Sequence, residues 1–249
     1  MMRNRAVSEV LGYSLVFSLV IFSVAVVSVG GLAGYQNAED FERQSNSQKA
    51  FDVLHNNLED VYYQSAPSRG TEIDLGETGL TLEDPIVINV TVEGASRQEF
   101  QIESQPIVQD LGDDNELVYE AGAVFQTTRD GGIIRQRPPM VLRGDTAHII
   151  APNVRPATAR SVGSGTVLIR AQSKGQEIRY RNTTRDPSAE LTMNVTSPRS
   201  DLWYGYLTDR GAFDESDCQQ PEDDVVVCGP VSLDQVTLVE PRINIVFDR

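Results

Sequence analysis

The chain has 249 residues, 40% of them hydrophobic, which allows one or two globular units and excludes a wholly disordered protein. It carries 36 acidic against 21 basic residues, a formal net charge of −15 at pH 7. All but one of the acids follow residue 35, and a field of that sign repels nucleic acid and anionic lipid, so we expect neither as a partner of this region. Only Lys49 and Lys174 are lysines. An acid-rich, lysine-poor surface is typical of a protein in concentrated salt. The alternative is an acidic composition that is unrelated to salt.

The first predicted element is a membrane-spanning helix. Residues 11–35 contain no charged side chain. As a helix this run is about 37 Å long, enough to cross a hydrocarbon core of about 30 Å. Arg3 and Arg5 precede it, whereas Glu39 and Asp40 follow it. The positive-inside rule therefore predicts a single-pass protein of the cell membrane, with a cytoplasmic N-terminus and an extracellular C-terminal domain.

A short basic leader stands directly before the apolar helix. Residues 5–12, RAVSEVLG, resemble the class III signal of archaeal type IV pilins and flagellin-like proteins. The resemblance implies that a prepilin peptidase cleaves between Ala6 and Val7, directly after the Arg5-Ala6 pair. Bacterial pilins place Glu at the fifth mature position, whereas Glu9 would be the third. Because of this difference, the leader resembles haloarchaeal pilin-like proteins of a poorly characterised family more than it resembles bacterial pilins.

A secretory signal peptide is the alternative for this segment. Small residues at Gly31 and Ala33 would suit signal peptidase, and cleavage there would release the ectodomain. The apolar run is much longer than the ~7–15 residues of a secretory signal, which favours a permanent anchor.

Helical spacing of apolar residues continues beyond the span until Pro67, which marks its end. The sequence predicts a leader at residues 1–6, a transmembrane and stem helix at 7–66, and an extracellular β-rich domain at 67–249.

Small residues spaced four apart favour close approach of a second helix. They form two pairs, Ser14 with Ser18 and Gly30 with Gly34. Other pilin-like subunits are therefore possible partners. The alternative for the glycines, with Gly31 between them, is a bend that divides the segment into two helices.

After residue 70 the apolar residues alternate with polar ones. Residues 85–92, PIVINVTV, are the clearest example and predict a strand with one apolar face. Residues 173–175, SKG, separate two similar runs and predict a hairpin turn. The predicted fold class is α+β, with the long N-terminal helix followed by an antiparallel sandwich or rolled sheet.

Two covalent features are expected outside the cell. Cys218 and Cys228 are the only cysteines, and they predict a disulfide around a short loop. Three sequons place candidate glycans at Asn89, Asn182 and Asn194. The alternative for each is an ordinary surface asparagine.

The sequence contains no catalytic motif: HExxH, G-x-S-x-G, P-loop, GxGxxG and CxxC are all missing. His148 lies in an apolar, strand-like run and is interpreted as a core or edge residue rather than a base. The acidic stretches 110–116 and 214–224 are interpreted as solvated turns rather than Ca²⁺ loops. The aromatic residues at 203–206 are predicted to form a core strand, with stacking on a sugar or packing in an interface as the alternatives. No catalytic residue, metal or cofactor is predicted.

These patterns predict a non-enzymatic, membrane-anchored surface protein that serves as a minor pilin or pseudopilin-like subunit. The first alternative is a permanently anchored ectodomain that binds a ligand or partner protein. The second is an extracellular hydrolase whose site has no sequence motif.

Overall fold

The computed structural model describes residues 3–76, 78–94, 96–112, 114–182, 189–209 and 213–248, with side chains described outside 3–10 and 29–40. The chain forms two compact units, Met1–Ser45 and Asn46–Arg249. Helix α1, Arg3–Tyr63, contributes to both units, and its helical backbone is continuous. The alternative of two helices divided near Gly30 is therefore not observed. The second unit begins before the predicted domain boundary at 66/67, because it includes the end of α1.

The part of α1 within the second unit is amphipathic. Phe51, Leu54 and Leu58 are at most 1% exposed, whereas Val53 is 50% exposed. Their spacing of three and four residues places the buried side chains on one helix face. The helix ends ahead of Pro67, as the sequence predicts.

The rest of the described chain is mostly β-structure. In chain order the strands are β1 Ser68–Asp74, β2 Leu80–Leu82, β3 Ile86–Glu93, β4 Arg97–Ser104, β5 Ile107–Asp110, β6 Glu116–Glu120, β7 Ala123–Thr128, β8 Gly131–Gln136, β9 Met140–Arg143, β10 Thr146–Ile150, β11 Asn153–Pro156, β12 Ser161–Val162, β13 Thr166–Arg181, β14 Glu190–Thr196, β15 Cys218–Glu222, β16 Val225–Ser232 and β17 Gln235–Asp248. Helix α2, Ser200–Thr208, and a 3₁₀ turn, Glu215–Asp217, lie between β14 and β15.

The strands form three sheets. Sheet A has the order β1-β13-β17-β10-β9, with β11 also paired to β17. Sheet B has the order β12-β2-β5-β6-β7-β8, and sheet C the order β15-β16-β14-β3-β4. The α+β class is confirmed, and the pairings are antiparallel except for β10 and β11, which run parallel to β17.

Sheet B contributes to both hydrophobic cores of the second unit. On one face, Leu117 and Tyr119 pack in the core that includes α1 and sheet A. On the other, Val118 and Phe125 pack in the core that includes sheet C and α2. All four side chains are fully buried. Because both faces are covered, the middle of β6, residues 117–119, is apolar at three successive positions rather than alternating.

The predicted hairpin turn at residues 173–175 is wrong. These residues lie inside β13, a single strand of 16 residues. Ser173 pairs with Ile243 and Gln176 with Pro241, so β13 has one extra residue there. That is a β-bulge, which bends a strand without reversing it. Gly175 has a φ of 98°, which explains why a turn-forming glycine stands at this position.

The aromatic residues at 203–206 form a helix, α2, rather than the predicted strand. Their burial in a core was predicted correctly for Trp203, which is fully buried and packs edge-to-face on Phe125 at 5.9 Å between ring centroids. Leu207, one helical turn after Trp203, is buried on the same face.

We expect Leu58→Ala to lower the free energy of unfolding of the second unit by about 2–5 kcal/mol, because it leaves a cavity between α1 and the sheets. Val53→Ala is the matched control on the exposed face of the same helix and should change stability by less than about 0.5 kcal/mol. Urea unfolding of the detergent-solubilised protein, followed by the fluorescence of the single tryptophan, measures both. Equal effects of the two changes would contradict the packing described above.

Candidate functional site

The described part of the first unit exposes an unusual amount of apolar surface. Residues 11–28 form a helical segment long and apolar enough to cross a membrane, and none of it is buried within the protein. Phe17, Leu19 and Phe22 are each more than half exposed. The polar side chain of Ser23 is satisfied inside the helix, since its hydroxyl donates to the Leu19 carbonyl at 2.7 Å. Water is a poor solvent for such a surface, so this segment is the first candidate functional site.

The predicted processing and packing residues belong to the same helix. Arg5, Ala6 and Val7 lie in its backbone, but their side chains are outside the described ones. The surroundings of Gly30 and Gly34 are also outside them.

The described pair among the predicted packing residues is Ser14 and Ser18. Both are exposed, as contact with a second helix would require.

The predicted disulfide is present. Cys218 begins β15 and pairs in register with Cys228 on β16, and the two sulfur atoms are bonded at 2.05 Å. Cys228 is fully buried in the core beside sheet C. A disulfide is typical of secreted and cell-surface proteins, because the cytosol keeps most thiols reduced.

Two of the three sequon asparagines lie side by side. Asn89 on β3 and Asn194 on β14 are register partners in sheet C, and both are half-buried. The side-chain oxygen of Asn194 is buried without a hydrogen-bond partner. Asn182 follows the end of β13, a strand of sheet A rather than of sheet C.

A buried carboxylate in the second unit is the second candidate site. Glu120 ends β6, is fully buried, and precedes the two-residue turn Ala121-Gly122, in which both residues have positive φ. One carboxylate oxygen of Glu120 accepts hydrogen bonds from Ser197 Oγ and Trp203 Nε1, each at 2.6 Å. Burial raises the pKa of the Glu120 carboxyl, and these hydrogen bonds oppose that rise.

The counter-ion of Glu120 is Arg199, which is itself buried. Its Nη1 donates to Glu120 Oε2 at 3.3 Å and to Glu83 Oε2 at 2.7 Å, and its Nη2 donates to Glu116 Oε2 at 3.4 Å. The neighbouring carboxylates raise the pKa of Arg199 against the opposing effect of burial. One cation thus joins three acids from sheet B and the loop before β3.

This network can stabilise the fold, but its geometry does not favour catalysis. Glu120, which has the perturbed pKa, has no exposed surface at which a substrate could meet it. His148 lies on β10, and its side chain makes no hydrogen bond or ion pair to another described residue. His55 on α1 is buried and its Nε2 lies 3.1 Å from the Gly122 carbonyl oxygen.

The acidic stretches make local contacts. Asp110 accepts a hydrogen bond from the backbone of Gly112 at 2.8 Å, and Asp214 and Asp217 form a capping box around the 3₁₀ turn. In the described ranges, no group of three or more His, Cys, Asp or Glu side chains could hold a metal ion. These contacts are typical of turns.

Residues 5–246 match a family of unknown function, DUF7289. The match extends from within α1 to within β17 and so includes the apolar segment and all three sheets. The chain belongs to the DUF7289 family. No curated protein and no solved structure matches it.

Sequence reasoning missed the Arg199 network of this DUF7289 protein. Glu83 and Arg199 are 116 positions apart, so no local pattern joins them. The one available signal was Glu120, an acid within the apolar stretch 117–125, because a charge in a buried strand requires a partner. That signal identifies the need for a cation but does not identify Arg199.

We expect Arg199→Met to lower the free energy of unfolding of the DUF7289 protein by about 3–5 kcal/mol at pH 7, because Glu120 remains buried without its counter-ion. The loss should be smaller near pH 4.5, the ordinary pKa of the carboxyl. A carboxyl whose pKa is raised in the folded state stabilises the fold at low pH, where the carboxyl is protonated. This stabilisation is lost as the pH rises through the raised pKa.

Arg97→Met is the control for this prediction. Arg97 is an exposed arginine of β4 whose partners, Glu93 and Glu99, are also exposed, so we expect a change below about 1 kcal/mol at either pH. Urea unfolding at pH 4.5 and pH 7 measures both variants. A loss for Arg199→Met that is independent of pH would show that Glu120 is not the group left uncompensated.

Proposed function

We propose that the protein is a membrane-anchored surface protein with a pilin-like N-terminus, which serves as a minor pilin or pseudopilin-like structural subunit. Helix α1 crosses the membrane once, and the domain that follows lies outside the cell. The observation that supports this proposal most directly is the apolar surface of residues 11–28, none of which is covered by the rest of the protein. Lipid, or the matching helices of other subunits, supplies the apolar surroundings that this segment requires.

The orientation rests on two independent features. The first is charge, since Arg3 and Arg5 precede the span and Glu39 and Asp40 follow it. The second is the disulfide between Cys218 and the buried Cys228, which suits an oxidising compartment. Both features favour a domain outside the cell, where the sequons at Asn89, Asn182 and Asn194 are candidates for glycosylation.

The pilin-like part of the proposal rests on the leader and on the division of α1. The Arg5-Ala6 pair directly precedes the apolar segment, where a prepilin peptidase would act. The same helix continues into the second unit, where Phe51, Leu54 and Leu58 belong to the core of the domain. A subunit built this way needs no catalytic residue. Its work is mechanical, with apolar helices packing together while the acidic domains stay in solvent.

A permanently anchored ectodomain that binds a ligand is the second candidate. It requires the same span and the same disulfide but neither processing at Ala6 nor a helix contact face. The half-buried pair Asn89 and Asn194 is compatible with this reading. An extracellular hydrolase has less support, because the buried Glu120 offers no access to a substrate.

We expect the mature chain to begin at Val7 and to remain in the membrane fraction. N-terminal sequencing of protein from the native host, or mass analysis of its first peptide, makes this measurement. A mature chain that retains Arg3 and Arg5 would exclude the pilin-like subunit in favour of the simple anchor. A chain that begins at Gly34 would identify a secreted product. Ala6→Asp, which places a charge at the cleavage site, is expected to leave the leader attached.

We expect the double change Gly30→Leu and Gly34→Leu to remove the protein from cross-linked oligomers or sheared filaments. Two leucines prevent close helix approach but suit lipid at least as well as glycine, so insertion should be unchanged. The matched control is Ala25→Leu with Ser28→Leu, which places the same side chains on the opposite side of the helix at 3.6 residues per turn.

Normal membrane levels and processing are required of both variants before oligomers are compared. If the Gly30 and Gly34 variant cross-links like the control, the glycine pair does not form a contact face. The filament hypothesis then depends on the leader motif alone.

A further inference from the structure

The face of sheet A opposite its core contains a cleft with an unusual charge. It has a volume of about 340 Å³ and lies where β11 and β13 flank β17. Its lining residues are Asn153, Arg155, Lys174, Glu240, Arg242, Ile243 and Asn244. Three of them are cations and one is an acid, in a chain whose net charge is −15.

The strand pairing places these side chains together. β11 runs parallel to β17, with Asn153 paired to Arg242 and Arg155 paired to Asn244. Residues 242 and 244 alternate with the buried Ile243, so they share the face away from the core. The arrangement therefore belongs to rigid strands rather than to a mobile loop.

The acid in the cleft is already neutralised. Glu240 is 4% exposed, its Oε1 accepts from Asn153 Nδ2 at 2.7 Å, and its Oε2 accepts from Arg179 Nη1 at 2.5 Å. Asn153 Oδ1 in turn accepts from Arg155 Nε at 3.0 Å, which orients that guanidinium. With both oxygens of Glu240 bonded, the carboxylate is committed to the structure of the cleft. Two of the three cations have acidic partners at the rim, Arg155 with Glu103 at 3.7 Å and Arg242 with Glu177 at 3.1 Å, which leaves Lys174 as the cation that pairs with no described acid.

Lys174 and Asn244 have unused hydrogen-bonding capacity. Lys174 lies on the bulge of β13, is exposed, and forms no ion pair with any described residue. Bulges commonly redirect a side chain near a binding site. The side chain of Asn244 is half-exposed and makes no hydrogen bond to another described residue. The cleft thus presents an ammonium group and an amide side by side with Arg242, whose own partner, Glu177, is exposed.

We propose that this cleft binds a small carboxylate-bearing, hydroxylated molecule of the acidic-sugar class. Lys174 and Arg242 meet the carboxylate, since ammonium and guanidinium groups are the usual partners of that group. The amide of Asn244, which can both donate and accept, meets a hydroxyl. The volume is within the range of about 300–1,000 Å³ for small-molecule sites. This site is independent of the membrane helix, so its failure would leave the proposed function untouched.

Titration calorimetry of the detergent-solubilised full chain with glucuronate, at fixed KCl concentration, tests the proposal. We expect saturable binding with one site, and no heat beyond dilution with glucose, which has the hydroxyls but not the carboxylate. Lys174→Gln should weaken binding about tenfold or more without changing the melting temperature, because Lys174 forms no ion pair with any residue that the structure describes. Asn244→Asp should abolish binding, because it places a negative charge beside the ligand.

Lys49→Gln, at the chain's other lysine, is the matched control and should bind glucuronate like the unchanged protein. Three results would overturn the proposal: no saturable binding of glucuronate, binding that is unchanged in Lys174→Gln, or sulfate binding as tightly as glucuronate. The last would identify a simple anion site in which the hydroxyl contacts of Asn244 have no part.

Discussion

The hairpin formed by β6 and β7 is buried on both faces, and the second unit is organised around that constraint. One face of the hairpin needs the amphipathic end of α1 and sheet A, and the other needs sheet C and α2. At its tip, Glu120 is a charge in an apolar layer, where an unpaired carboxylate would be strongly unfavourable. Ser197, Arg199 and Trp203 satisfy it, and in doing so they attach α2 and the segment before it to sheet B.

Helix α1 presents two kinds of surface that need different surroundings. Residues 11–28 are apolar on every side and are not covered by the protein. Residues such as Phe51 and Leu58 are apolar on one side only, and the sheets cover that side. An all-apolar helix belongs in lipid or among other helices, whereas an amphipathic one belongs at the surface of a core. This contrast within one element fits a membrane span in the first part of the helix and core packing in the second.

Charge has two roles in this acidic chain. Inside the fold, Arg199 compensates the negative charges of Glu120 and of the partly exposed Glu83 and Glu116. In the sheet A cleft, Arg155 and Arg242 have exposed acids as partners, whereas Lys174 forms no ion pair with a described residue. In a chain with 21 basic and 36 acidic residues, most cations can find an acidic partner. A cleft that keeps one cation unpaired among the described residues, as this one keeps Lys174, is therefore suited to an anionic ligand.

Local patterns in the sequence were enough to determine the apolar span, the alternating strand β3 and the Cys218–Cys228 pair, because each depends on residues close together in the chain. The pattern failed where tertiary burial overrides it. β6 shows no alternation because both of its faces are covered. The pattern at 203–206 predicts a strand where α2 forms, because four positions are too few to distinguish the helical period of 3.6 residues from the strand period of two. Residues 173–175 predict a turn where β13 has a bulge, because both structures favour a glycine with positive φ. Only the tertiary structure decided that Arg199 meets Glu120 and that Lys174 lies beside Arg242, since strand pairing joins positions that no sequence period connects.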